Sequence, residues 1–139
     1  MNTKRRVLAI LGAFIAIVAV DFMTHDVLLS DFYNAHPTWW LPPAVMQARM
    51  PFMFASQMVL AILLTVIYAK GYESKKKEGI GQGVRFGVLM GVLLHLPKQL
   101  MLYFVYPYPV SVLIVWGLGG LLQTVLAGAA IGAIYKKKD

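Results

Sequence analysis

The chain contains no cysteine. Disulfides, thiolate metal sites and cysteine nucleophiles are therefore excluded. Charge is scarce as well: acidic and basic residues make up 14% of the chain, against 59% hydrophobic residues and a mean hydropathy of +0.67. A soluble domain of 139 residues must cover its surface mostly with polar groups, and this chain has too few of them. Lipid is the solvent that fits such a composition. There is also no HExxH pair, no phosphate-binding glycine loop, and no serine in a recognisable nucleophile setting. The three histidines are scattered and no CxxCH exists for haem. No catalytic residue, metal site or cofactor is expected, and an enzyme ranks last among the functional readings.

The charges that are present are arranged. Basic residues gather at 4–6, at 70–77 with Arg85 just beyond, and at 136–138, and two apolar spans separate each cluster from the next. This is the positive-inside arrangement, which places both termini and the central loop in the cytoplasm. Asp26 and Asp31 fall on the opposite side. Topology thus accounts for the net charge of +7. Nucleic acid is not an expected partner; membrane lipids are, through anionic headgroups near the basic clusters.

Four spans are expected, at about 7–28, 51–69, 84–104 and 110–135. The fold class that follows is all-α and integral to the membrane: an up-down bundle of four transmembrane helices forming one domain over 1–139. The basic residues ahead of VLAILGAFIAIVAV also suit a signal peptide. No convincing small-x-small site follows, so a retained anchor is expected. The longest connection, 30–50, carries Phe32, Tyr33, Trp39 and Trp40, rings that settle at headgroup depth. Within it, PPAVMQARM should begin a short helix, with Pro51 dividing it from the second span or kinking the entrance. The YPYP stretch at 106–109 should make a tight hairpin between the last two spans.

The third span carries Gly83, Gly87 and Gly91 at intervals of four, continued by His95 and Gln99, and the fourth carries Gly120, Thr124, Gly128 and Gly132. Such stripes let backbones approach closely where lipid supplies no hydrophobic drive between helices. The last two spans should pack along them, although the same faces would also suit a homo-oligomer or a membrane partner. In the first span Ala9, Gly12, Ala13, Ala16 and Ala19 gather on one side, and Asp21 and His25 lie on a different face.

LLHLPKQLM, at 93–101, interrupts an apolar helix with four residues that lipid does not favour. His95, Lys98 and Gln99 share one helical face. Pro97 frees the carbonyl of Leu93 and should bend the helix. Asp21 lies about 14 residues, or roughly 21 Å, beyond the cytoplasmic edge, and Lys98 lies at a similar depth. A buried charge is costly unless paired, hydrated or snorkelling, so an Asp21–Lys98 contact is the expected solution. Gln57 of the second span, and Gln123 and Thr124 of the fourth, stand at depths from which all four helices can supply polar groups to one interior. The candidate ligand-binding set is Asp21, His25, Gln57, His95, Lys98 and Gln99. Asp21 and Lys98 would compensate charge, the histidines would make proton-sensitive contacts, and the glutamines would hydrogen-bond a ligand.

Met46, Met50 and Met53 fall on one helical face if Pro51 does not break the turn, which invites a soft-metal reading. Ordinary apolar packing explains methionine more simply. At the central turn, Glu73 or Glu78 pairing with Arg85 is a further option, set against plain solvation of the loop.

The run YAKGYESKKKEGIGQGVRFGVLMGVLL resembles a group of small bacterial inner-membrane proteins of uncharacterised function. In these, KGYE precedes a cytoplasmic turn and RFG opens the third helix. Here the residues are Lys70, Gly71, Tyr72 and Glu73, then Arg85, Phe86 and Gly87. The resemblance implies the four-helix fold, a bacterial origin and the inner membrane, and it supplies no catalytic assignment. The leading functional expectation is an outward-facing polar cavity that binds or moves a small polar solute or ion. The alternative is a non-transporting structural or partner-binding protein assembled through its glycine faces.

Overall fold

The computed structural model describes residues 3–71 and 79–135. Every element in them is helical. This is the arrangement by which a chain in hydrocarbon satisfies its own amides and carbonyls. Helix α1 (Thr3–Asp21) continues directly into a π-helical segment, Phe22–Leu28. The connection that follows holds α2 (Ser30–Ala35), a 3-10 turn (Pro37–Trp39) and α3 (Pro43–Ala48). Then come α4 (Met50–Lys70), α5 (Ile80–Val105) and α6 (Val110–Ile134). Four spans of 26, 21, 26 and 25 residues are long and apolar enough to cross a membrane.

The spans run somewhat longer than the expected 7–28, 51–69 and 84–104, because the helices continue past their apolar stretches into polar ends. Lys4, Arg5 and Arg6 belong to the first turns of α1 and are exposed. Helix α5 starts after Gly79, whose φ of +89° only glycine adopts readily. The fourth span stops at Ile134, one residue short of the expected 135. Of the sequence features at the central turn, Tyr72, Glu73, Glu78 and the lysines at 75–77 lie outside the described residues, as do the lysines at 136–138.

The helices do not surround a single axis evenly. Helix α6 packs along α5 on one side and α1 on the other, and α4 lies mainly against α1. Side-chain burial gives the reason. On α6 four of the eight buried positions, Thr124, Ala127, Gly128 and Gly132, are small, so two neighbours come close. Helix α1 buries Ala9, Ala13, Ile17 and Val20. This corrects the expected small-residue side: Ala19 is exposed, and Ile17 is fully buried on the stripe that leads to Asp21. A helix placed between α4 and α6 buries two faces.

The glycine series meet each other as their spacing predicts. Gly83 faces Gly128 and Gly132, Gly87 faces Thr124 and Val125, and Gly91 faces Thr124 and Leu121. A Cβ added at Gly128 would stand 3.0 Å from the Gly87 nitrogen. The buried residues of α5 are Gly83, Met90, Gly87 and Gly91, all in its first half. At that end, which also holds the start of α1 and the end of α6, Tyr68 of α4 lies edge-on to Phe86 (5.3 Å between ring centroids) and to Tyr135 (5.5 Å). Ile17, Leu64 and Ile131 complete a solid core there. We call this the terminal end and the opposite one the loop end.

Outside, the helices present apolar side chains: Phe104 is 84% exposed, Phe52 76% and Leu89 66%. An apolar exterior on this scale, around a chain with so few charges, fits lipid as the surrounding medium. The described elements are thus all helical, and four of the helices have the length and apolarity of a multi-pass membrane protein.

Candidate functional site

Beyond Gly91 nothing on α5 is buried, and α4 and α5 share no extended backbone interface. The space left between them at the loop end is a cavity of about 770 Å³. Ligand sites commonly measure about 300–1,000 Å³ and combine apolar walls with a few converging polar groups. All six candidate residues, Asp21, His25, Gln57, His95, Lys98 and Gln99, line this one cavity. Four of them come from the ends of α1 and α5 that face each other across it.

Asp21 stands at the end of α1, half-buried, and its carboxylate is held from two sides. The Gln57 amide of α4 donates to Oδ2 at 2.5 Å, and the Gln123 amide of α6 donates to Oδ1 at 2.8 Å. Gln123 also reaches the carbonyl of Ile17 at 3.5 Å. The sequence-based expectation of an Asp21–Lys98 contact is therefore corrected. Neutral amides from neighbouring helices satisfy the carboxylate, while Lys98 is exposed on α5. The reason is the layout: α1 packs against α4 and α6, whereas α5 is separated from it by the cavity. Both charges line the same hollow, but on different walls.

His95 and Gln99 continue the glycine stripe of α5 and enter the α5–α6 interface. The His95 ring sits over Gly120, and the Gln99 stem over Gly117, where a Cβ would stand 3.3 Å from Gln99 Cγ. The glycines of α6 make room for these side chains. Pro97 lies inside α5, which continues through it as one helix from Ile80 to Val105. Several polar atoms on the cavity wall have no protein partner although they are buried: Gln57 Oε1, Gln99 Oε1, His95 Nε2 and Trp40 Nε1. An unsatisfied buried polar atom costs about 1–3 kcal/mol. Two of the four are carboxamide oxygens, which can only accept.

The π-helical segment, marked by the Leu29 amide donating to the Thr24 carbonyl five residues back at 3.1 Å, carries Thr24 and His25 into the wall. Such segments recur at functional sites. Thr24 packs on Gly119, where a Cβ would meet its Cγ2 at 2.9 Å. His25 Nδ1 and the Tyr33 hydroxyl lie 2.6 Å apart, and Trp116 Nε1 donates to the same hydroxyl at 2.8 Å. Burial raises the Tyr33 pKa above its ordinary value near 10, the Trp116 hydrogen bond lowers it, and the charge of Asp26 raises it.

Tyr33, Trp40, Tyr108 and Trp116 form a part of the site that sequence reasoning missed. It read the rings of the connection as headgroup anchors. Instead they bind the connection to the α5–α6 turn. Tyr33 meets Trp40 edge-on at 5.1 Å, Trp40 stacks on Tyr108 at 6.3 Å, and Tyr108 meets Trp116 edge-on at 5.1 Å. These separations lie in the range where aromatic pairs attract. The sequence marks Gln123 as polar and near the centre of its span, but not as part of the site. Its spacing could not reveal that it holds Asp21.

No group of three or more histidine, aspartate or glutamate side chains suited to a metal occurs among the described residues. The shared-face reading of the methionines is also corrected. Met46 belongs to α3 and Met50 and Met53 to α4, because the chain breaks at Arg49 and not at Pro51. The chain matches no protein-family model, no curated protein and no solved structure.

Proposed function

We propose that this is a bacterial inner-membrane protein, with both termini in the cytoplasm, whose loop-end cavity opens outward and binds a small zwitterionic group. The observation that carries the reading is the pair of opposite charges, Asp21 and Lys98, lining one cavity without contacting each other. A solute carrying an ammonium and an acidic group satisfies both. Asp21 and the free carboxamide oxygens of Gln57 and Gln99 accept from the ammonium, and Lys98 attracts the anion. Trp40, Tyr108 and Trp116 offer ring faces that favour a cation.

Orientation rests on the basic clusters, and bacterial origin on the resemblance of the KGYE and RFG segments. The geometry favours binding from one side. The lining residues come from the loop-end part and the middle of the molecule, and the glycine-packed terminal end supports no second mouth. Transport would require α5 and α6 to part along the glycine seam. Against the structural alternative stands the mutual packing of the two glycine stripes within the chain.

The test is a thermal-shift titration of the purified protein with matched zwitterionic, cationic and anionic solutes such as phosphoethanolamine, ethanolamine and glycerol phosphate. Phosphoethanolamine should stabilise at concentrations at least tenfold lower than the other two. Asp21→Asn should abolish that preference. Equal responses to all three, or none to any, would remove the proposal. Flux of a bound solute through reconstituted vesicles separates transport from binding.

A further inference from the structure

We infer that the zwitterionic group is the headgroup of a membrane lipid, held with its head in the loop-end cavity and one acyl chain in a groove between α5 and α6. The inference rests on the zwitterion-binding reading and adds the class of molecule that carries the group.

The groove is a second hollow, of about 530 Å³, on the outer side of the α5–α6 pair. Its walls are aliphatic or glycine apart from Tyr103 and two residues at its inner margin. Leu96, Leu100, Ile114 and Leu118 are each more than half exposed along it, so it opens to the medium around the bundle. The two residues at the inner margin are His95 and Gln99, which also line the polar cavity. One pair of side chains therefore borders both spaces, polar on one side and apolar on the other. Both carry a buried atom without a protein partner, His95 Nε2 and Gln99 Oε1. Gln57, 6% exposed, contributes another on the far side of the cavity.

A water-soluble zwitterion would use the cavity and leave the groove without a role. A lipid uses both. Its ammonium meets Asp21 and the glutamine oxygens, and its phosphate lies toward Lys98. The chain passes beside His95 and Gln99 into the groove. Within a bilayer the groove gains little from apolar contact as such, because lipid tails are as apolar as its walls. Its contribution is to hold the head at the cavity by tethering, which raises the effective concentration of the headgroup there. Gly91 and Gly117 line the groove without side chains.

The experiment is native mass spectrometry of the full chain released from detergent, after incubation with equal amounts of phosphatidylethanolamine and phosphatidylglycerol of the same acyl composition. Phosphatidylethanolamine should be retained at least tenfold over phosphatidylglycerol, and Asp21→Asn should bring the ratio to about one. Leu118→Trp, which fills the groove from an exposed position, should lower retention of phosphatidylethanolamine at least fivefold. Leu89→Trp, equally exposed on α5 and lining neither hollow, should retain the parent's ratio. Soluble glycerophosphoethanolamine, added as competitor, distinguishes the two readings. If it binds as tightly as the lipid and Leu118→Trp has no effect, the lipid inference fails and zwitterion binding stands. If the two lipids are retained equally by the parent, only unspecific lipid is present and the inference is overturned. If neither lipid nor glycerophosphoethanolamine binds, both readings fall.

Discussion

Adding one methyl group to α5 tests the architecture at its tightest point. A Cβ at Gly87 would stand 2.6 Å from Val125 Cα and 2.9 Å from the Thr124 carbonyl carbon, both on the α6 backbone. Carbon atoms rest at about 3.5–4.0 Å, so the helices must part by about 1 Å. Overpacking of this kind costs about 1–3 kcal/mol, and a gap of up to about 1 Å forfeits a quarter to a half of each contact well along the seam. Against this, alanine relieves the helix-interior penalty of glycine, about 1 kcal/mol. The net expected loss for Gly87→Ala is about 2 kcal/mol. Gly81→Ala, in the first turn of the same helix, is the control: its Cβ would meet only the Arg85 guanidinium at 4.0 Å. It should be neutral or stabilise by up to about 1 kcal/mol. Equilibrium unfolding in mixed micelles measures both. If the two substitutions shift the unfolding midpoint alike, α5 and α6 are not in backbone contact, and the cavity built on that seam loses its frame.

Other outcomes follow from the site and the topology. In a double-mutant cycle Asp21→Asn and Gln123→Leu should couple by about 0.5–3 kcal/mol, because they share a hydrogen bond, whereas Asp21→Asn and Lys98→Met should be additive within about 0.5 kcal/mol. Strong coupling of the second pair would restore the ion pair. Single cysteines at Ser30 and Ser74 should respectively react with and resist a membrane-impermeant reagent in intact cells; the reverse pattern would invert the topology. Tyr33→Phe should remove from the alkaline absorbance titration a phenol that ionises above the ordinary tyrosine range. The raised pKa contributes stability that is present below pH 10 and lost as pH rises through the folded-state value. A removed phenol that titrates at the ordinary value would refute the burial of Tyr33.

Composition and period determined the framework. A chain this apolar has lipid as its solvent, and in lipid its backbone must close on itself as helices. The number of spans and their approximate limits follow from hydropathy. The pairing of α5 with α6 follows from glycines four residues apart, since offset and face are fixed by the helix itself. The polar residues at 21, 57, 95 and 99 were equally legible as groups that hydrocarbon would not tolerate singly. What the sequence did not determine was where α1 and α4 stand relative to the α5–α6 pair. Asp21 and Lys98 lie at matching depth, but depth along parallel axes says nothing about distance across the bundle. Only the tertiary layout, with α1 between α4 and α6 and with α5 across a cavity, gave the carboxylate to Gln57 and Gln123 and left the lysine on the opposite wall. The same layout folded the aromatic connection back onto Tyr108 and Trp116, a contact between residues so far apart in the chain that no local spacing encodes it.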